Sequence, residues 1–322
     1  MRFYYYKGDN KKEIEKIDRD NIAEDIVQKA RIWHDDIERC EIDFEKIQGE
    51  IFPDTSEFNE IKLIPDVYEQ SQTYKANIFK STYQNADGMF DIEGQDVRSH
   101  SLAATYKASL VYDFDRICLT ATLDEMLDDW VYKGEAAAFV YWDKTVKRQR
   151  QQQEQPILDE MGNLIGTEIK NVMVDVITNS NANVKRLDPL NLFFDKTMRR
   201  DWCSCGKIIR EFIPLEKVLA NTQWKLTPKE IKELKETVYT GNHEQISNIE
   251  KDKLDIDKHI VGTCVEVLEY YGDYVIPEKY DVAKNVIITV IAGKYVAQIT
   301  ESQYPMCPII FATYNERPDT LR

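Results

Sequence analysis

The chain has 322 residues, of which 43% are hydrophobic and 31% are charged, the balance of a soluble globular protein and not of a disordered one. Its net charge of −15 excludes a protein that grips nucleic acid over its whole surface, because such binding neutralises several phosphates with Lys and Arg. No apolar run approaches the ~20 residues of a membrane span, and the N-terminus lacks the apolar core of a signal peptide. The cysteines are scattered, which predicts reduced thiols in a cytosolic protein: Cys40, Cys118, Cys203, Cys205, Cys264 and Cys307.

Four helices are predicted in the first part of the chain. The first runs from about Asp18 to Gly49 with one apolar stripe, and we expect it to pack on its own domain or on a neighbouring subunit. The second starts at Pro65, and the fourth spans Thr120–Tyr132. The third, Val97–Ile117, is apolar on nearly two faces, which predicts a helix sandwiched between other elements. The stripe of the first helix comprises Ile26, Ala30, Trp33, Ile37, Cys40, Phe44, Ile47 and Ile51, and the apolar side of the second comprises Tyr68, Ala76, Phe79 and Tyr83.

Strand patterns dominate after Gly134. The apolar run Ala136–Trp142 predicts a buried strand. After the turn-rich stretch Asp159–Gly166, the alternating Val172, Val174 and Val176 predict the returning strand of a long β-hairpin, which protrudes over about 144–172 with a solvated tip. A strand at Lys207–Ile213 then leads into a short helix, and a further helix is predicted at Thr227–Tyr239. The end is predicted to be a β-meander of four strands: Thr263–Tyr271, Val282–Ile291, Tyr295–Ile299 and Pro308–Tyr314.

These elements predict an α+β fold, in which a helical N-terminal part precedes a mixed helical and antiparallel β-meander part. We expect an N-terminal helical arm over 1–64, a helical body over 65–135, and a β-rich domain over 136–322 that carries the protruding hairpin.

Motifs for catalysis are scarce. The sequence contains neither a phosphate-binding glycine loop nor the glycine–serine elbow of a hydrolase. Asp113 and Asp115 form a D-x-D pair of the kind that can hold Mg²⁺, with the acidic residues of the fourth helix nearby, but those residues alternate with apolar ones as on a solvated helix face. Cys203 and Cys205 are too close together for a zinc site. The sequence predicts a protein that is not an enzyme, with no catalytic residue, cofactor or metal.

A basic run, Lys144–Arg150, lies in the predicted hairpin. It is compatible with nucleic-acid contact, but it lacks the interleaved aromatic residues of a stacking surface, which favours a solvated arm or a subunit contact. The residues predicted to contact partners lie in this run and in the first helix: Trp33, Ile37, Phe44, Lys147, Arg148 and Arg150.

Several blocks, in this order, resemble the portal proteins of tailed bacteriophages, especially the large portals of short-tailed and crAss-like phages. Their order and spacing over about 250 residues carry the resemblance, since each block alone is a common pattern. Residues before about 64 and the stretch 240–260 have no counterpart. The blocks are Pro65–Tyr83, Leu123–Trp142, Leu187–Asp195 with Arg199–Asp201 after it, the strand with Arg210 and the helix at Glu216–Leu219, Val267–Tyr274, and Tyr304–Arg317.

The resemblance implies that 136–322 is the wing domain of a portal subunit, and that the family's stem, clip and crown are not present in this chain. It further implies a dodecameric ring at one vertex of the capsid, in the virion, assembled in the cytoplasm of the host bacterium. Its partners would be the terminase motor, the major capsid protein, tail adaptor proteins and the viral double-stranded DNA, which passes without specific binding, and no membrane. The alternatives are another virion structural protein, such as a tail adaptor or capsid-associated protein, and a metal-dependent transferase that uses Asp113 and Asp115.

Overall fold

The structure is a computed structural model, and it divides into two compact units, each made of discontinuous segments. The first unit comprises Met1–Ser81, Asp124–Ala138 and Arg186–Arg322, and the second comprises Thr82–Leu123 and Phe139–Lys185. The residues that the structure describes are 3–7, 10–14, 19–34, 66–82, 88, 90–158, 164–195, 202, 205–221, 223–240, 260–276, 282–302, 304 and 306–313.

The first unit begins with a β-hairpin, where the sequence analysis predicted only a helical arm. Strand β1 (Phe3–Lys7) pairs antiparallel with β2 (Asn10–Ile14), with Phe3 opposite Ile14. The cause is local, because Phe3 and the three tyrosines after it favour a pleated strand over a helix. The predicted first helix follows as α1, whose described part covers 19–34. The rest of that prediction, up to Gly49, lies outside the described residues.

A six-stranded antiparallel sheet forms the centre of the first unit. Its main path is β10-β9-β8-β6-β5, with the short β7 paired to β8 beside it. The strands are β5 (Leu192–Phe194), β6 (Lys207–Pro214), β7 (Ile260–Val261), β8 (Cys264–Val275), β9 (Val282–Ile291) and β10 (Tyr295–Glu301). The predicted strands of the meander up to β10 are thereby confirmed.

The two faces of this sheet are buried by different helices. In β8, Leu268 and Tyr270 share a core cluster with the α1 residues Ile22, Ile26 and Ala30. Val265 and Val267 belong to a second cluster formed with the helices α5 (Leu215–Ala220) and α6 (Pro228–Thr240). Successive side chains of a strand point to opposite faces, so the apolar run of β8 supplies both cores. Thr227 and Glu230 start α6 with a reciprocal capping box, in which each side chain accepts the other residue's backbone N–H.

Gly272 in β8 sits where the ladder with β9 shifts register. Its φ is +134°, and a Cβ added there would lie 2.7 Å from the carbonyl oxygen of Cys205. Only glycine combines this backbone conformation with so close an approach, and the position marks a β-bulge.

The last strand, β11 (Ile309–Thr313), does not extend the meander as predicted. It pairs with β3 (Glu135–Leu158), which in turn pairs with β4 (Leu164–Leu187), in a three-stranded sheet. A cluster of three aromatic rings accounts for its position, since Trp202 stacks on Phe311 and both contact Phe194 edge-on. The indole Nε1 of Trp202 also donates to the carbonyl of Ile309 at 2.7 Å.

The predicted second, third and fourth helices are confirmed as α2 (Asp66–Thr82), α3 (Val97–Arg116) and α4 (Leu119–Lys133). The predicted apolar side of α2 is not buried where it is described: Ala76 is exposed, Phe79 is half-buried, and Lys75 is the buried residue. In the first unit α2 meets α4 through Tyr74, whose ring stacks on that of Trp130 with centroids 6.3 Å apart. None of the described helices is both long enough and apolar enough to cross a bilayer. The fold is α+β, as the sequence predicts.

Candidate functional site: the hairpin arm, its root and helix α3

The longest element is the hairpin of β3 and β4. Its residues 139–185, which belong to the second unit, are called the arm. Each strand has 24 residues, so the hairpin is longer than the predicted range of about 144–172. The strands end at Leu158 and resume at Leu164, around the predicted turn at Asp159–Gly166. Lys147 and Arg150, two of the predicted partner contacts, are exposed on β3, as is Lys144. Arg148 lies in the same strand, and its side chain is outside the described set.

Large apolar side chains of the arm are in contact with water. Trp142 is 56% exposed, Met173 58% and Ile177 52%. The indole Nε1 of Trp142 donates to the Ser180 hydroxyl at 2.9 Å, which links the two strands. Among the described residues, only the five of β11 add a third strand to the 24-residue strands β3 and β4, and a two-stranded ribbon in water is marginally stable without a packed face. The composition of the arm is therefore that of a surface completed by something else.

Helix α3 of the second unit presents a similar surface. It starts at Asp96, whose carboxylate accepts the N–H of Ser99 at 2.6 Å, and this hydrogen bond lowers the pKa of Asp96. Of its twenty residues, all of which the structure describes, only Ala103 is buried. Leu102, Tyr106 and Leu110, spaced four apart, are exposed. The prediction that this helix is sandwiched is wrong, because most of its residues are exposed or half-buried.

The first unit holds the root of the arm together with ion pairs. Asp129 on α4 is 3% exposed, and both its carboxylate oxygens accept hydrogen bonds from the guanidinium of Arg186 near the end of β4, with Nη2 at 2.6 Å from Oδ1. This hydrogen bonding raises the pKa of Arg186, with burial acting against it. Lys133 lies 3.0 Å from Asp129 and 3.0 Å from Asp188, just after β4. Bidentate Arg–carboxylate pairs fix geometry as well as adding energy, so α4 and the end of β4 are held in register.

The acidic face of α4 is solvated as the sequence predicted except at Asp129, and three of its four carboxylates form ion pairs. Lys75 of α2 lies 3.0 Å from Asp124 and 2.8 Å from Asp128. Burial lowers the pKa of Lys75, but the hydrogen bonds to these two carboxylates outweigh it, so the pKa is raised overall. Asp129 is buried against Arg186, whereas the side chains of Asp124 and Asp128 are 49% and 42% exposed. Three of the four carboxylates are thus paired with cations of the same unit.

The D-x-D pair lies at the end of α3 in the second unit. Asp113 is 3.4 Å from the guanidinium of Arg116, a spacing of three residues along the helix, and Asp115 is exposed. Across the described stretches of the chain, no group of three or more His, Cys, Asp or Glu side chains is placed to hold a metal ion.

The predicted contacts of the first helix have a different outcome. Trp33 is half-buried and packs against the core cluster that α1 forms with the sheet, so in this chain it stabilises the first unit. Ile37 and Phe44 lie outside the described residues.

Cys205 of the first unit is buried, and we expect its thiol to be unreactive. Burial raises its pKa to about 11, although the positive charge of Lys207 acts the other way. About 0.1% of the thiol would then be ionised at pH 8, and the thiolate is the nucleophile. With iodoacetamide at pH 8, peptide mass spectrometry should find the exposed Cys118 labelled and Cys205 unlabelled. Both should react in urea, and rapid native labelling of Cys205 would contradict its burial.

The features that bear on function are thus surfaces and ion pairs: an exposed basic and apolar arm, a clamped root, and an uncovered helix. No protein-family model and no curated protein matches this chain, so its function is argued from these features.

Proposed function

We propose that this chain is part of a portal subunit of a tailed bacteriophage, a structural protein that forms a ring at one capsid vertex for DNA packaging and ejection. The ordered resemblance of its sequence blocks to portal proteins supports this assignment. On this proposal the protein acts by shape and repetition, in the virion, together with the terminase motor, the capsid protein and tail adaptors.

The observation that carries the proposal is the uncovered apolar surface of the second unit. Soluble monomers rarely expose large apolar patches, and such patches mark interaction sites. Here they occur on two different elements, the arm and α3. A closed ring is built from a heterologous interface, in which one patch of each copy meets a different patch of the next. Two dissimilar patches are what such a ring requires.

The charge of the chain fits a channel for DNA. Each copy carries −15, so a ring of many copies repels the phosphate backbone more than it attracts it. DNA can slide past a surface of like charge, whereas tight binding would stop its passage. We therefore expect weak association of the ring with duplex DNA at physiological salt.

Electron micrographs of the complete purified protein test the proposal. We expect closed rings with the twelve-fold symmetry of portals in the averaged images. A protein that stays monomeric, or forms only open filaments, would overturn the proposal. A closed ring of a different copy number would favour a tail adaptor or another virion protein.

The same preparation tests the enzyme alternative. We expect Asp113→Ala to leave ring formation unchanged, because Asp113 contacts Arg116 of its own helix. A divalent cation bound by the wild type in calorimetry and lost in Asp113→Ala would instead favour the metal-dependent transferase.

A further inference from the structure

We infer that the arm of one copy binds the α3 surface of the next copy, where the α3 surface means Asp91, Glu93, Leu102, Tyr106 and Leu110. Neighbouring second units would then join head to tail, with each copy giving one arm and receiving another. This inference rests on the proposed ring and names the surfaces that close it.

The apolar parts of the two surfaces match in length. Met173 and Ile177 are four residues apart on β4, so they lie on one face of the strand, about 13 Å apart. Leu102 and Leu110 are eight residues apart on α3, about 12 Å along its axis, with Tyr106 between them. These side chains are between 38% and 58% exposed in the single chain. A strand face can therefore cover the helix stripe along its whole length.

The charges of the two surfaces are complementary. The run from Lys144 to Arg150 contains four basic residues and no acidic one. The segment before α3 carries Asp91 and Glu93, both exposed, and Lys107 holds Asp91 beside the middle of the helix at 3.3 Å. Residues of a strand alternate between its two faces, so those of the basic run that share a face with Met173 and Ile177 would meet carboxylates next to the apolar stripe, which adds orientation to the apolar contact.

A second copy fits the arm better than nucleic acid does. The chain carries −15 in total and the basic run +4, so the rest of each copy carries −19 and attracts that run. The apolar residues of the arm can also be buried only against another apolar surface. Duplex DNA offers phosphates, which would satisfy the basic run but leave Met173 and Ile177 in water.

Charge reversal in the complete protein tests the inference. Lys147→Glu with Arg150→Glu should raise the concentration at half assembly, measured by mass photometry, by about tenfold or more. The matched control is Lys229→Glu with Lys232→Glu on α6, two lysines that are 86% and 78% exposed, and it should leave assembly close to wild type. Adding Asp91→Lys and Glu93→Lys to the arm variant should restore assembly, because the charges are then exchanged across the interface.

A cross-link tests the apolar contact without relying on charge. With the exposed Cys118 replaced by serine, the pair Tyr106→Cys and Ile177→Cys should give a ladder of covalent oligomers on oxidation, whereas either cysteine alone should not.

The outcomes separate the inference from the proposed function. Wild-type rings with an arm variant that assembles like the control would overturn the arm contact and leave the ring in place. Wild-type protein without rings would overturn both. Loss of duplex DNA binding in the arm variant, with assembly unchanged, would assign the basic run to nucleic acid and overturn the inference.

Discussion

Glu266→Ala is expected to lower the free energy of unfolding by about 3–5 kcal/mol. Glu266 and Arg210 are both 0% exposed in their side chains, and Arg210 Nε donates to Glu266 Oε1 at 2.7 Å. Without the carboxylate, the guanidinium stays buried on β6 and loses this charged partner. Urea denaturation followed by circular dichroism measures the loss as a lower midpoint with an unchanged slope.

Replacing both partners separates the origin of this cost from simple loss of packing. Arg210→Met combined with Glu266→Leu removes both charges of this pair, and we expect it to recover most of the stability lost in Glu266→Ala. If the double variant is as unstable as the single one, the cost arises from the altered volume next to Phe212, over whose ring the guanidinium lies at 4.8 Å.

The elements that the sequence predicted well are those whose pattern is local. The helix at Val97–Arg116 starts with a capping box and keeps a helical period, and the alternation of Val172, Val174 and Val176 identified β4. The strands of the hairpin end at Leu158 and resume at Leu164, around the turn-rich stretch Asp159–Gly166, but the residues after Arg150 are polar and carry no strand signal of their own. They are strand because they pair with β4, which is a non-local cause.

The partner of β11 could not be predicted for a similar reason. A strand at Pro308–Tyr314 was recognised from its apolar residues, but the choice between β10 and β3 depends on side chains far away in sequence. Trp202, about a hundred residues earlier, binds the Ile309 carbonyl and stacks on Phe311. A single sequence contains the residues of this cluster but does not indicate that they are in contact in the folded chain.

In the candidate site, the exposure of the basic residues of the arm could be predicted from composition, whereas the burial of the Asp129 carboxylate could not. Lys147 and Arg150 lie in a run that is mostly basic and polar, and they are exposed as expected. Asp129 lies among three other acidic residues of one helix and looked equally solvated. Its burial is decided by Arg186, which is distant in sequence and was not singled out. The sequence offered one signal for this ion pair. It was a cationic residue, Arg186, at the end of the returning strand, together with an excess of acidic residues on α4.

The root of the arm gives the second large prediction. Asp129→Ala should lower the free energy of unfolding by about 2–3 kcal/mol, because Arg186 loses a bidentate partner and Lys133 loses one of its two carboxylates. The cost should be smaller than for Glu266→Ala, since the side chains of Arg186 and Lys133 are about one third exposed and water can solvate them after the change. Urea denaturation of the two variants side by side measures the difference.

Asp128→Ala on the same helix is the matched control. Its carboxylate is 42% exposed, and its partner Lys75 keeps Asp124, so we expect a loss below about 1 kcal/mol. An equal loss in both variants would mean that the acidic residues of α4 act through helix stability alone. A large loss of unfolding free energy confined to Asp129→Ala would mean that the loss arises from the ion pair at the end of β4, next to the arm. Ring assembly of that variant should then weaken at protein concentrations at which the Asp128→Ala protein still assembles, because an arm can bind a neighbouring copy only when its root holds both strands in register.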